Sequence, residues 1–215
     1  MKTALLVIDM QEHFREMGMP IMKNISTLSD HFTTHYLPQH FTQHGHPPSD
    51  FESPITNQLV KKWGIEGSIH RGSPAWHLLP SIRALYDNAS SSHTHPSVIP
   101  KNTYDAFLGI TGPELSTSNA ASSSSSPPAP PSLESRLRTA AVERVIVCGV
   151  LTDCCCDTTA RSAFNRGFET WLVEDACASV DQRQHEAALR GYGFGYGDVV
   201  STEEVVRRLG REVGC

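Results

Sequence analysis

The hydrophobic positions of the chain form short apolar runs that alternate with longer amphipathic stretches. Residues 3–8 are continuously apolar and end at Asp9, a pattern typical of a strand that is covered on both faces. Similar runs predict further strands, of which residues 39–43 are the weakest because Gln39 and His40 stand where Val or Ile is usual. The predicted strands cover residues 3–8, 39–43, 97–99, 143–148, 169–173 and 198–200. The predicted helices cover residues 22–35, 79–87, 133–141, 153–166, 181–190 and 202–209.

The alternation of strands and helices predicts one α/β domain over residues 1–215. It favours a three-layer α/β/α arrangement, in which a six-stranded parallel sheet carries helices on both faces. One segment breaks the pattern, because residues 116–131 contain Ser122 to Ser126 followed by several prolines. A segment of this composition buries too little apolar surface to order itself, so we expect a disordered surface insertion.

The composition argues against several classes of function. The net charge is −5 and Lys and Arg form no cluster, which argues against nucleic-acid binding. No apolar run reaches the length of about 18 residues that a membrane-spanning helix needs, and the N-terminus has no signal-peptide pattern. We therefore expect a cytoplasmic protein whose six cysteines are thiols rather than disulfides.

Chemically reactive side chains follow four of the predicted strands. Asp9 ends the first strand, His44 and His46 follow the second, Lys101 follows the third, and a run of three cysteines that includes Cys155 follows the fourth. Because ligands of parallel sheets bind beyond the carboxyl ends of the strands, we expect these groups to meet at one site. A cysteine at the start of a helix and beside a lysine should have a lowered pKa, and a neighbouring aspartate can exchange its proton.

Helical periodicity separates the three consecutive cysteines only in part. Cys156 falls on the same stripe as Ala160 and Phe164, which is the pattern of a core face. Cys154 and Cys155 both remain candidates for the reactive thiol on this argument. Consecutive cysteines also lack the spacing of a zinc site, which leaves a nucleophile as the better hypothesis.

Four groups of residues carry recognisable motifs. They are Leu5 to Gln11 with Phe14, Lys101 to Phe107, Val147 to Cys156, and Thr159-Ala160 with Gly167-Phe168 and Val173 to Ala176. In these segments the chain resembles the isochorismatase-like hydrolases, also called the cysteine hydrolase superfamily. The resemblance covers nearly the whole chain apart from residues 112–132.

The resemblance implies the fold and the roles of several residues. It implies a six-stranded parallel sheet and a catalytic triad of Asp9, Lys101 and Cys155. It also implies a cis peptide bond before Leu151, and an oxyanion hole that is made by the backbone N–H groups of Leu151 and Cys155. Members of the family usually form dimers or larger assemblies, so we expect a homo-oligomer, either a dimer or a tetramer. No cofactor is expected.

The resemblance is compatible with more than one reaction. Isochorismatases hydrolyse a vinyl ether and often lack the cysteine, whereas nicotinamidases and carbamoyl or ureido amidohydrolases use it as the acyl acceptor. The presence of Cys155 favours cleavage of an amide, carbamoyl or ureido C–N bond in a small molecule. The alternatives are vinyl ether hydrolysis by Asp9 and a non-catalytic member that acts by interaction through the Ser/Pro-rich insertion.

The substrate pocket is expected to draw on several segments that follow the strands. The pocket residues predicted in this way are Phe14, His46, Tyr104 and Phe107, with contributions from residues 46–54 and from Trp76. These residue types are mainly aromatic and do not define one ligand.

The loop after the second strand resembles the metal-binding segment of nicotinamidases, but it departs from that pattern. His44 stands at the position of the family's aspartate, and no further histidine follows at the expected short distance. His44 and His46 are spaced so that they could begin a zinc site. A polar loop that lines the pocket is the favoured interpretation, and the departure argues against nicotinamidase activity.

Overall fold

A six-stranded parallel sheet forms the centre of the fold, in a computed structural model that describes residues 1–92, 95–110 and 131–213. The strands are β1 (Thr3–Ile8), β2 (Gln39–His44), β3 (Ser97–Lys101), β4 (Arg144–Val150), β5 (Glu169–Ala178) and β6 (Asp198–Val200). Their order across the sheet is β3-β2-β1-β4-β5-β6, and each neighbouring pair is parallel. All the carboxyl ends therefore meet at one edge of the sheet.

Helices pack on both faces of the sheet, which confirms the predicted α/β/α layers. The α-helices are α1 (Arg15–Gly18), α2 (Met22–Thr34), α3 (Gln58–Trp63), α4 (Pro80–Ser91), α5 (Leu133–Thr139), α6 (Asp157–Asn165), α7 (Gln182–Gly195) and α8 (Thr202–Val213). Short 3-10 helices occur at Glu12–Phe14, Met19–Ile21, Pro48–Phe51 and Pro74–Trp76. Helices α2 and α8 pack against each other and on β5, whereas α6 and α7 form a second pair that also packs on β5.

The largest errors of the predicted strand boundaries lie near the carboxyl edge of the sheet. Strand β5 continues to Ala178 rather than ending at residue 173, because two exposed acidic residues interrupt its apolar run without ending the strand. Strand β4 continues to Val150, and the two strands resume their pairing there after an irregularity between Val147 and Gly149. The short helices α1 and α3 were not predicted, since neither has a long apolar stripe.

Strand β2 is buried along its whole length although most of its side chains are polar. Ser29 Oγ donates to Gln39 Oε1 at 2.8 Å, and Gln39 Nε2 donates to Thr33 Oγ1 at 2.7 Å. The His40 Nδ1 atom shares a hydrogen bond of 2.8 Å with Ser97 Oγ. Hydrogen bonds to neighbouring elements thus satisfy the Gln39 amide and His40 Nδ1, whereas His40 Nε2 is buried without a partner among the described residues.

The buried face of α6 agrees with the prediction only in part. Cys156, Ala160 and Ala163 are fully buried, as the periodicity indicated. Phe164 is instead 41% exposed, and its ring contacts Tyr196 edge-on at a centroid distance of 5.4 Å. The buried stripe of α6 is therefore narrower than predicted, and Phe164 lies outside it.

Gly149 brings β4 close to β1 in a conformation that other residues rarely adopt. Its φ is +118°, and a Cβ atom would lie 2.2 Å from the carbonyl oxygen of Ile8.

We expect Gly149→Ala to lower the free energy of unfolding by about 3 kcal/mol or more, measured by denaturant titration, because backbone rather than a flexible side chain must move. Gly167→Ala is the matched control: φ is +83° there, but no atom lies within 4 Å, so a loss of about 1 kcal/mol is expected. Equal losses would contradict the steric argument.

The predicted insertion at residues 116–131 lies outside the described residues except for its last position, Pro131, which is exposed. Among the described residues, no helix combines the length and the apolar character that crossing a membrane requires. The cytoplasmic location and the homo-oligomeric state stay predictions.

Candidate active site

The carboxyl ends of β1 and β3 bring Asp9 and Lys101 into direct contact. The Lys101 Nζ atom lies 2.6 Å from Asp9 Oδ2, and both side chains are 0% exposed. Strand β2 lies between them in the sheet and holds the other carboxylate oxygen, because Thr42 Oγ1 donates to Asp9 Oδ1 at 2.6 Å. The same hydroxyl accepts the N–H of Asp9 at 3.0 Å. The carboxylate is therefore fixed by one ion pair and one hydrogen bond.

Cys155 completes this group of side chains. Lys101 Nζ donates to Cys155 Sγ at 3.2 Å and to the Thr103 carbonyl at 3.0 Å. Together with the ion pair to Asp9, these two hydrogen bonds hold the ammonium in place. The structure thus brings together Asp9, Lys101 and Cys155, which we call the triad.

The turn that carries Cys155 differs from the predicted one. A π-helical turn spans Thr152–Cys156, and α6 begins only at Asp157, so Cys155 is not in the first turn of an α-helix. The Leu151 carbonyl accepts the N–H groups of Cys154 at 3.2 Å and Cys156 at 3.1 Å. The peptide bond between Val150 and Leu151 is cis. Wide turns of this kind occur often at functional sites.

Burial controls the ionisation of the triad. It raises the pKa of the Cys155 thiol, and the Asp9 carboxylate raises this pKa further, against the opposing effect of the Lys101 ammonium. The prediction of a lowered cysteine pKa is therefore wrong, and the resting group is a thiol. Burial disfavours charge on the other two groups as well, but their ion pair outweighs it, so the pKa of Asp9 is lowered and that of Lys101 is raised.

The two cysteines beside Cys155 occupy different surroundings. Cys156 is 0% exposed and lies beside Cys177 in the core. Cys154 is half-buried and lies beside the Tyr104 hydroxyl. Periodicity left Cys154 and Cys155 as alternatives, and it is Cys155 whose Sγ accepts from Lys101.

A cavity of about 260 Å³ is lined by Cys155 and by the predicted residues Phe14, His46 and Tyr104. Its lining is mainly aromatic and aliphatic, and among the described residues no Asp, Glu, Lys or Arg belongs to it. Sequence reasoning missed much of this wall, which includes His13, Met17, Leu59, Trp63, Ile69 and Val180. A wider cavity of about 420 Å³ near Lys2 and Arg136 contains no member of the triad.

Two residues that were predicted for the pocket lie elsewhere. Phe107 does not line the cavity, because its ring packs at 6.2 Å from that of Phe168, with the Arg166 guanidinium 4.7 Å above it. The ring of Trp76 covers Gly45, where a Cβ atom would lie 2.4 Å from the indole. Neither ring belongs to the cavity lining.

Comparison with known proteins places this arrangement in a family. The family model named Isochorismatase domain matches residues 3–204. The chain belongs to the isochorismatase-like hydrolases. This hydrolase is 31% identical over 206 residues to Nicotinamidase 3 of Arabidopsis thaliana, which covers 96% of this chain and 88% of that protein.

Two further relatives of this isochorismatase-like hydrolase are more distant. It is 26% identical to Enterobactin synthase component B of Escherichia coli strain K12 over 95% of this chain, and it spans 62% of that protein's length. A cysteine hydrolase from Pseudomonas syringae pv. phaseolicola 1448A has a TM-score of 0.72 at 20% identity, covering 98% of this chain and 93% of that one. The second likeness supports the six-stranded parallel fold alone.

The loop after β2 of this isochorismatase-like hydrolase is organised by Asp50, a buried residue that sequence reasoning did not single out. Its Oδ2 atom accepts from His46 Nδ1 at 2.8 Å, from Asn57 Nδ2 at 3.0 Å and from Asn102 Nδ2 at 2.8 Å. This carboxylate ties the loop to the segment that follows Lys101.

The sequence left open a zinc site that begins at His44 and His46. Within residues 1–92, 95–110 and 131–213, no group of three or more His, Cys, Asp or Glu side chains is arranged to hold a metal ion, at these histidines or elsewhere.

Proposed function

We propose that this protein cleaves the C–N bond of a small uncharged amide through a thioester on Cys155. The observation that carries the proposal is the contact of Cys155 Sγ with Lys101 at the wall of a cavity, with Asp9 in the same group. The similarity to Nicotinamidase 3 supports amide cleavage in preference to the vinyl ether reaction.

The charges of the triad assign a role to each member. Asp9 is the base, because its lowered pKa keeps it ionised and its negative charge acts directly on the Cys155 thiol, whose pKa it raises. Lys101, with its raised pKa, stays an ammonium and stabilises the thiolate as it forms. The proton and the negative charge thus move within a group that stays neutral overall.

The reaction then proceeds in two halves. The Cys155 Sγ atom bonds to the amide carbon while the thiol proton passes to Asp9, and the backbone N–H groups of Leu151 and Cys155 bind the resulting oxyanion. The C–N bond breaks as Asp9 returns the proton to the leaving nitrogen, which departs as ammonia or an amine. Water, deprotonated by Asp9, attacks the thioester and releases the carboxylic acid, and the thiol regains its proton.

The cavity lining favours an uncharged acyl group. Isochorismate and N-carbamoyl amino acids carry carboxylates, which bind most strongly to Arg or Lys. Among the described residues the cavity offers neither, and Lys101 beside it is already paired with Asp9. The ranges 93–94, 111–130 and 214–215 contain no Lys or Arg in their sequence. Aromatic amides fit the rings of Phe14, Trp63 and Tyr104.

A substrate panel tests the proposal. We expect purified protein to release ammonia from benzamide and nicotinamide faster than from N-carbamoylglycine, and to leave isochorismate unchanged. Mass spectrometry of quenched reactions should detect an acyl group on the peptide that contains Cys155. Turnover of isochorismate with no release of ammonia from any amide would favour the vinyl ether reaction instead.

A further inference from the structure

The π-helical turn that carries Cys155 is tied to neighbouring elements through the side chains of its first two residues. Thr152 Oγ1 shares a hydrogen bond of 2.8 Å with His185 Nδ1, which belongs to α7. Asp153 Oδ1 accepts from the hydroxyl of Ser179, the residue that follows β5. Because the turn lacks the regular winding of an α-helix, we expect its shape to depend on such outside contacts.

The backbone holds His185 in place for this contact. His185 lies near the start of α7, where the Asp181 side chain caps the helix by accepting the N–H of Gln184 at 2.8 Å. The Asp181 carbonyl accepts the N–H of His185 at 3.2 Å. Thr152 is 0% exposed, so its hydroxyl relies on a protein partner rather than on bulk water. The half-buried ring of His185 supplies that partner.

The segment that contains both outside partners also reaches the cavity. Val180, which directly follows Ser179, lines the cavity together with Cys155. His185 does not belong to this lining. Any effect of His185 on the reaction would therefore pass through Thr152 rather than through contact with a substrate.

We propose that His185 is a positioning residue, which fixes the turn of Cys155 through its hydrogen bond to Thr152. This inference rests on the proposed function. In that reaction Cys155 supplies the sulfur, and the N–H groups of Leu151 and Cys155 on either side of Thr152 bind the oxyanion. Misplacing reacting atoms by about 1 Å can cost about 10²-fold in rate. Loss of the bond should therefore lower kcat and leave KM nearly unchanged.

Two replacements of similar shape test this role. His185→Asn keeps a hydrogen-bonding atom near the position of Nδ1, whereas His185→Leu has the same branching without one. We expect His185→Leu to lower kcat for benzamide by about 10- to 100-fold with little change in KM, and His185→Asn to keep most of the activity. Gln184→Ala, at an exposed position of the same helix, should keep the wild-type kcat. An unchanged kcat in His185→Leu, or an equally low one in His185→Asn, would overturn the proposal.

A double-mutant cycle tests whether His185 acts through Thr152. Thr152→Val removes the hydroxyl from the other side of the bond. Since both changes remove the same contact, the double variant Thr152→Val/His185→Leu should be no slower than the slower single variant. Losses that multiply in the double variant would show two independent roles and would overturn the proposal.

Hydrogen exchange distinguishes the failure of this inference from the failure of the proposed function. We expect the backbone amides of residues 150–158 to exchange about tenfold faster in His185→Leu than in the wild type or in His185→Asn, because the turn opens more readily. If the wild type cleaves no amide, the proposed function is wrong, and faster exchange in His185→Leu would still support the positioning of the turn. Equal exchange in a protein that cleaves no amide would overturn both.

Discussion

Cys155→Ala is expected to lower the turnover of amide substrates by at least about 10³-fold. The change removes the sulfur that forms the thioester, and no other group of the triad can take its place. Because Cys155 is buried and contacts the Lys101 ammonium, the loss should appear in kcat with a small effect on binding. Initial rates of ammonia release from benzamide check this result.

The adjacent cysteines provide the matched controls. Cys154→Ala should keep most of the activity, since Lys101 donates its hydrogen bond to Cys155 Sγ and the Cys154 thiol lies beside Tyr104. Cys156→Ala should cost about 1 kcal/mol of stability through a lost core contact, with little change in rate. A Cys154→Ala variant as inactive as Cys155→Ala would contradict the assignment of the nucleophile.

Asp9→Asn is expected to remove activity and to destabilise the fold together. The amide cannot accept the thiol proton, and it leaves the Lys101 ammonium buried without its carboxylate. Breaking a buried pair by removing one partner costs about 3–5 kcal/mol. Because the ion pair lowers the pKa of Asp9, its stabilisation is present above the ordinary carboxyl pKa and is lost as the pH falls through the lowered value.

Two comparisons separate the chemical effect of Asp9→Asn from its effect on stability. The double variant Asp9→Asn/Lys101→Met removes both charges, so it should recover much of the free energy of unfolding while staying inactive. Asp87→Asn is the surface control, because Asp87 and its partner Arg83 are both exposed and lie 3.0 Å apart, and it should cost no more than about 1 kcal/mol. Full activity in Asp9→Asn would show that another group is the base.

The sequence was a good guide to the sheet and to the residues at its carboxyl edge. Apolar runs locate buried strands, and the position of Asp9 and Lys101 at strand ends follows directly from them. The ionisation of Cys155 was not predictable, because it depends on burial by elements distant in sequence. The pocket wall was also missed, since residues such as Leu59 and Val180 come from separate segments with no shared periodicity.

The predicted ends of β4 and β5, which lie beside the candidate active site, are wrong. The pattern of β5 ended early because two exposed acidic residues look like a loop, although the backbone pairing continues to Ala178. The turn at Thr152–Cys156 was assigned to a regular α-helix, because a π-helical turn has no distinct composition. In both places the backbone geometry is decided by neighbouring strands rather than by local propensity.

The buried polar strand β2 has a consequence for the evolution and engineering of this enzyme. Its residues are poor strand formers by composition, yet Thr42 orients the Asp9 carboxylate and His44 forms part of the cavity wall. Replacing them by Val or Ile would improve the intrinsic preference for a strand and remove polar groups from the interior. A consensus or stability-driven redesign would therefore choose these positions, and we expect the resulting protein to be more stable and less active.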